Sequence, residues 1–141
     1  MKKTAAVLFI IGFFMITSCI MKRHKNGDRP CTEEYRMLTI SIKDNFSKPV
    51  ILDDYFVKKT STGEIIDFAK EDPYFDSINR MQGIYLICTD GKMSMTSRQG
   101  TEFVFHCFLD SAEIVKEPYI IGNDECHVIM LYGKPEIIIP E

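Results

Sequence analysis

The sequence predicts an all-β protein: an antiparallel β-sandwich of about seven strands, Ig-like or transthyretin-like in Greek-key order, with one short helix. Three observations carry this. Apolar residues alternate with period two along several short segments, as in strands buried on one face. Turn signals recur at near-regular spacing between those segments, the pattern of a sandwich. No alternation of strands with long helical segments appears, so parallel βαβ units are not expected.

Taken in order, residues 35–44 set Leu38, Ile40 and Ile42 against Thr39, Ser41 and Lys43, a half-buried strand. Asn45 to Pro49 supplies a turn. Val50 to Lys59 is expected to be extended, interrupted at Asp53-Asp54. Ser61-Thr62-Gly63 marks a turn, and Glu64 to Phe68 resumes the extended path. Asp72-Pro73 begins the helix: aspartate accepts from free amides as N-cap, and proline is favoured at the first helical position. Ile84 to Thr89 is a strand, followed by the turn signal Asp90-Gly91. Met93 to Gly100 is polar, a loop or weak edge strand. Thr101 to Leu109 puts Phe103, Phe105, Cys107 and Leu109 on one face, with Val104, His106 and Phe108 on the other. Asp110-Ser111 turns. Glu113 to Ile121 is extended, with Pro118 confining part of it to an edge or bulge. Gly122-Asn123-Asp124 turns, and Cys126 to Tyr132 and Glu136 to Ile139 close the domain.

Ahead of this body lies an address. Lys2 and Lys3 precede an apolar stretch of 12 residues, Ala5 to Ile16, the length of a signal-peptide core and short of the roughly 20 residues a spanning helix needs. The stretch ends in Ile16-Thr17-Ser18-Cys19, which resembles a bacterial lipobox. That resemblance implies acylation of Cys19 and cleavage before it. Residues 1–18 are then a lipoprotein signal peptide. Residues 19–30, basic at Lys22, Arg23, Lys25 and Arg29, are a flexible tether. Residues 31–141 are the sandwich domain. Several acyl chains, each buried methylene contributing about 0.8 kcal/mol, would hold the protein to a bilayer durably. In lipoproteins resembling those of Bacteroidota, surface export goes with acidic residues just after the lipidated cysteine; Lys22, Arg23 and Lys25 stand there instead, so that resemblance implies an outer-membrane anchor that faces the periplasm.

From Cys31 onward, 11 basic residues face 19 acidic ones, a charge of −8. A duplex-binding surface needs the opposite sign, so nucleic acid is not an expected partner. The expected partners are the lipid bilayer, through acylated Cys19, and an envelope protein or glycan.

Four cysteines remain for an oxidising compartment: Cys31, Cys88, Cys107 and Cys126. Four cysteines allow three connectivities. Cys31 precedes the first strand and Cys126 the last long one. A bridge between them would close nearly the whole domain and remove unfolded-chain entropy on the order of 4 kcal/mol. Cys88 and Cys107 lie on strands expected to neighbour each other; they either bridge or pack as small hydrophobes, with packing slightly favoured. His106-Cys107 and Cys126-His127 are adjacent pairs, and neighbours on a strand point to opposite faces. Neither pair chelates a metal or forms a Cys/His dyad by itself, and no metal or cofactor is expected. His127 is expected to be a surface or hydrogen-bonded histidine near a sheet end. Asp53-Asp54 and Asp124-Glu125 lack the spacing of a calcium loop and read as solvated turn acids. Phe103, Phe105, Phe108, Tyr119 and Tyr132 are candidates for a ligand platform, with His106 and Phe108 on the face better suited to the surface. No motif joins a nucleophile, a base and an oxyanion site. The expected function is therefore a non-catalytic binding or structural module of the cell envelope. The alternative is a small envelope hydrolase using a cross-strand Cys/His pair.

One resemblance bears on the fold. The strand ending at Asp44, then Asn45-Phe46-Ser47-Lys48-Pro49-Val50, then Thr62-Gly63-Glu64, is similar to carboxypeptidase-regulatory-like and transthyretin-like sandwiches. Gly83-Ile84-Tyr85 resembles the start of a strand in those domains. Phe46-Ser47 stands where they usually carry a turn glycine. Asn123 to Val128 resembles the tail of small uncharacterised lipoproteins of Bacteroidota. The likeness implies a fold and a compartment, and no activity.

Overall fold

The computed structural model describes residues 30–140. The signal peptide, Cys19 and the tether up to Arg29 lie outside the described residues. The body is an all-β sandwich of two sheets. Its elements are β1 (Met37–Asp44), β2 (Asp54–Lys59), β3 (Ile65–Ile66), α1 (Phe68–Glu71), α2 (Pro73–Arg80) and β4 (Ile84–Thr89). A 3-10 helix (Asp90–Met95), β5 (Thr101–Leu109), β6 (Ala112–Asn123), β7 (Val128–Tyr132) and β8 (Glu136–Ile139) follow. One sheet has the order β4-β1-β8, the other β3-β2-β5-β6-β7.

The alternating residues of β1 and β5 land as their period requires. Ile40 and Ile42 from the smaller sheet, and Phe103, Phe105 and Cys107 from the larger, are buried in one core with Tyr55, Val57, Ile87, Ile121 and Val128. The two sheets meet through aromatic rings. Tyr55 on β2 lies edge-on to Tyr85 on β4 at 5.1 Å between centroids, and Tyr85 lies 6.4 Å from Phe105. Such pairs contribute roughly 0.5–1.5 kcal/mol each beyond the area they bury. The buried tyrosines also use their hydroxyls. Tyr85 donates to the Val50 carbonyl and accepts from the Leu52 amide, at 2.7 and 2.9 Å. Tyr119 donates to the Lys134 carbonyl at 2.9 Å. Each hydroxyl satisfies backbone that leaves one sheet for the other.

Several turns follow local chemistry. Asp110 and Ser111 both take positive φ (50° and 64°) between β5 and β6, the geometry of a tight hairpin turn. Pro118 sits on the stretch of β6 that has no β7 partner, because β7 pairs only from Ile120 to Asn123. There a missing amide hydrogen costs no ladder bond. Asp72 caps α2 by accepting from Phe75 N at 3.0 Å, with Pro73 at the helix start. Gly83, just before β4, has φ +67°, and a Cβ there would sit 2.5 Å from the Ile42 carbonyl oxygen, so only glycine fits.

Four expectations need correction. Cys88 and Cys107 do not lie on neighbouring strands: β4 belongs to the smaller sheet and β5 to the larger. Both cysteines are free and buried, so packing, rather than bridging, is what they do. β8 runs parallel to β1; it arrives from β7 in the other sheet and crosses over instead of folding back. Residues 50–53 are not strand; Tyr85 and Arg80 take up their backbone groups. Phe68 does not continue β3. Asp67 caps a one-turn helix there by accepting from Lys70 N at 3.1 Å.

Candidate functional site

The densest polar constellation lies where the chain enters the sandwich. The loop between β6 and β7 is held by Asp124, whose Oδ1 accepts the amides of Cys126 (3.0 Å) and His127 (2.8 Å), while Glu125 takes a positive φ of 77°. This fixes the start of β7. Cys126 is disulfide-bonded to Cys31, the pairing the strand positions favoured. The next residues on each side also meet: Thr32 Oγ1 and His127 Nε2 are 2.8 Å apart.

His127 is only 6% exposed. Its Nδ1 lies 2.7 Å from Asp90 Oδ2. Asp90 also accepts the amide of Arg36 at 2.7 Å and that of Val128 at 2.8 Å. One carboxylate at the end of β4 therefore ties the approach to β1, the start of β7 and the imidazole together. Burial pushes the Asp90 carboxyl up, and the bonds from His127 and the amides of Arg36 and Val128 outweigh it. The net result lies below the ordinary carboxylate value. The amides of His127 and Cys126 likewise hold the Asp124 carboxyl down. A carboxylate–imidazole–hydroxyl chain is the arrangement that activates a serine in hydrolases. A nucleophile also needs donors aimed at the developing oxyanion. Here the amides that border the chain, Arg36 and Val128, are bonded to Asp90 instead. These bonds join Thr32 to His127, and Arg36, His127 and Val128 to the end of β4.

No family model, no curated protein and no solved structure matches this chain. The other sequence-predicted residues are therefore placed by geometry alone. Cys88 and Cys107 are both 0% exposed. Burial pushes the Cys88 thiol up to about 11 and that of Cys107 up to about 12, so neither forms a thiolate near neutrality. The register puts Tyr55 and Val115 opposite Cys107, and Leu38 opposite Cys88. His106 points to the other face of β5, where it stacks on Phe56 at 4.7 Å and pairs with Glu113. His106 and Cys107 thus lie on opposite faces of β5.

Of the candidate platform, Phe103, Phe105 and Tyr119 are core. Phe108 and His106 flank Phe56 on the outer face of the larger sheet, stacked at 5.8 and 4.7 Å. Tyr132 is exposed. The two acid pairs go separate ways. Asp53 accepts the amide of Asp110. Asp124 caps its own loop, and Glu125 pairs with Arg98. Among the described residues, no three His, Cys, Asp or Glu side chains are grouped to hold a metal ion.

In the sequence, Asp90-Gly91 signals only a turn. The available signal was indirect: a histidine beside a disulfide cysteine at a strand start needs a buried acceptor. Because Asp90 is depressed in the folded state, its stabilising contribution is present above the unfolded carboxylate value. It is lost as pH falls through the folded one. The domain should therefore weaken below about pH 4, and Asp90→Asn should flatten that slope while costing about 1–3 kcal/mol at pH 7. Urea unfolding midpoints between pH 2 and 7, on the order of five points per protein, check this. Superimposable pH profiles for the two proteins would refute the role of Asp90.

Proposed function

We propose that the protein is a lipoprotein of the Bacteroidota type, acylated at Cys19, whose sandwich serves as a non-catalytic binding or structural module in the cell envelope. The observation that carries this reading is the Cys31–Cys126 disulfide, because such bonds persist where exported proteins reside. The apolar leader and the Ile16-Thr17-Ser18-Cys19 junction supply the route and the anchor. The bases at Lys22, Arg23 and Lys25 favour a periplasm-facing domain on the outer membrane. The thiols of Cys88 and Cys107 are buried and held protonated, and His127 is already bonded on both ring nitrogens. A binding role fits these groups better than the hydrolase alternative. The partner is an envelope protein or a glycan.

Mass spectrometry of the native protein from a bacterial host should find a diacylglyceryl-type addition on an N-terminal Cys19. Cys19→Ser should leave the membrane fraction. An intact Met1 or an unmodified Cys19 would defeat the anchor. Thiol labelling tests the non-catalytic reading independently. Without reductant, the native protein should take no label at Cys88 or Cys107, and the denatured protein should take it at both. Rapid labelling of either in the native state would restore the hydrolase.

A further inference from the structure

The binding role leaves the chemistry of His127 unused. The histidine is buried, yet the hydroxyl it meets belongs to a surface residue: Thr32 is exposed, with Oγ1 2.8 Å from His127 Nε2. The direction of this bond follows from the other side of the ring. Asp90 Oδ2, 2.7 Å from His127 Nδ1, also accepts the amide of Arg36, and Oδ1 accepts that of Val128. A carboxylate in that setting is an acceptor only, so Nδ1 carries the proton. In the neutral imidazole Nε2 is then an acceptor, and Thr32 donates to it. A surface hydroxyl thus has a base on its proton, and the base is held in one tautomer. The residues just before them, Cys31 and Cys126, are bonded to each other, which keeps hydroxyl and base side by side.

We propose that Thr32 is an acylation site: its Oγ1 takes the acyl group of an uncharged, activated carboxylic ester, once per chain. Oγ1 attacks the ester carbonyl while its proton passes to His127 Nε2. The ester C–O bond then breaks, the acyl group stays on Oγ1, and the leaving oxygen takes the proton back from Nε2. The products are O-acyl threonine and the free alcohol, and no further reactant is needed. A positioned base contributes roughly 10²–10⁴-fold to such a step. The residues after Thr32 set the charge of the donor. Glu33 and Glu34 are both exposed and disfavour a phosphate or carboxylate beside the hydroxyl. The reaction stops after one acyl group because its product is the ester of an ordinary secondary alcohol, a poor acyl donor. The amides of Arg36 and Val128 are taken by Asp90 and do not stabilise the oxyanion that hydrolysis of this ester would require. The protein is modified rather than turned over, and the inference does not rest on acylation at Cys19.

The full chain is treated with p-nitrophenyl acetate at about pH 8, where an ordinary imidazole is the neutral base, and its peptides are mapped. Thr62 is the internal reference, an exposed threonine whose Oγ1 accepts the Glu64 amide at 3.3 Å. Thr32 should gain an acetyl group that alkaline hydroxylamine removes, about 100-fold faster than Thr62 does. Thr32→Ser should retain the site, and Thr32→Val should abolish the fast phase of p-nitrophenolate release. His127→Gln should bring Thr32 down to the rate of Thr62. Asp90→Asn, whose amide can donate to Nδ1 and reverse the tautomer, should do the same and leave Thr62 unchanged. Intact Cys31–Cys126 and unlabelled Cys88 and Cys107 certify that each variant is folded. Equal rates at Thr32 and Thr62 would overturn the proposal. So would a fast phase that survives Thr32→Val, or acetylation of Thr32 at the unaltered rate in His127→Gln or Asp90→Asn.

Discussion

Serine at both Cys31 and Cys126 is expected to lower the stability of the sandwich by about 4–5 kcal/mol, the chain-entropy value for a closed loop of roughly 100 residues. Whole domains are stable by only about 5–15 kcal/mol, so the double variant should be marginal at 37 °C. Beyond chain entropy, the bridge sets Thr32 beside His127. Losing it therefore also loosens the hydrogen bonds that Asp90 makes to Arg36 and Val128. Urea unfolding of the double variant, compared with the reduced unaltered protein, is the measurement. The two should agree, because both lack the same constraint. A loss under about 1 kcal/mol, well short of what a loop of this length provides, would mean the bridge is incidental. Non-reducing peptide mapping should recover the Cys31 and Cys126 peptides joined.

What could be read from the sequence was local. Period two in Thr101 to Leu109 defined β5 to the residue and sorted Phe103, Phe105 and Cys107 from His106 and Phe108. Asp72-Pro73 marked the helix start, and Pro118 the free edge of β6. What escaped was long-range. Periodicity says which residues share a face and not which sheet a strand joins. Hence the alternation does not tell that β4 and β5 belong to different sheets or that β8 runs parallel to β1. Asp90 was illegible because its partners, Arg36, His127 and Val128, are distant in sequence.

Arg80→Ala is expected to cost about 3–5 kcal/mol, because removing one partner of a buried ion pair leaves the other charge uncompensated. Asp76 would remain almost wholly buried, and the carbonyls of Leu52 and Asp53 would lose the guanidinium that now bonds both. The guanidinium also lies 5.7 Å from the centre of the Tyr55 ring. Burial, the neighbouring Asp76 carboxylate and the hydrogen bond to it hold the Tyr55 hydroxyl well above its ordinary value, so Tyr55 stays protonated and donates to Asp76 but brings no positive charge to replace the guanidinium. Arg80→Lys should recover only part of the loss. A single ammonium cannot reproduce the fork that bonds Asp76 through Nε and Nη2 while Nη1 reaches the backbone. Asp76→Asn with Arg80→Met removes both charges together and should cost less than either single removal of charge, since no buried ion is left unpaired. Chemical unfolding of these variants, read as a double-mutant cycle, decides the matter. Equal and additive losses would mean the pair is screened by solvent and that α2 is fastened by something else. If the pair does fasten the helix, Arg80→Ala should also free α2 from residues 50–53, where the guanidinium now holds the Leu52 and Asp53 carbonyls.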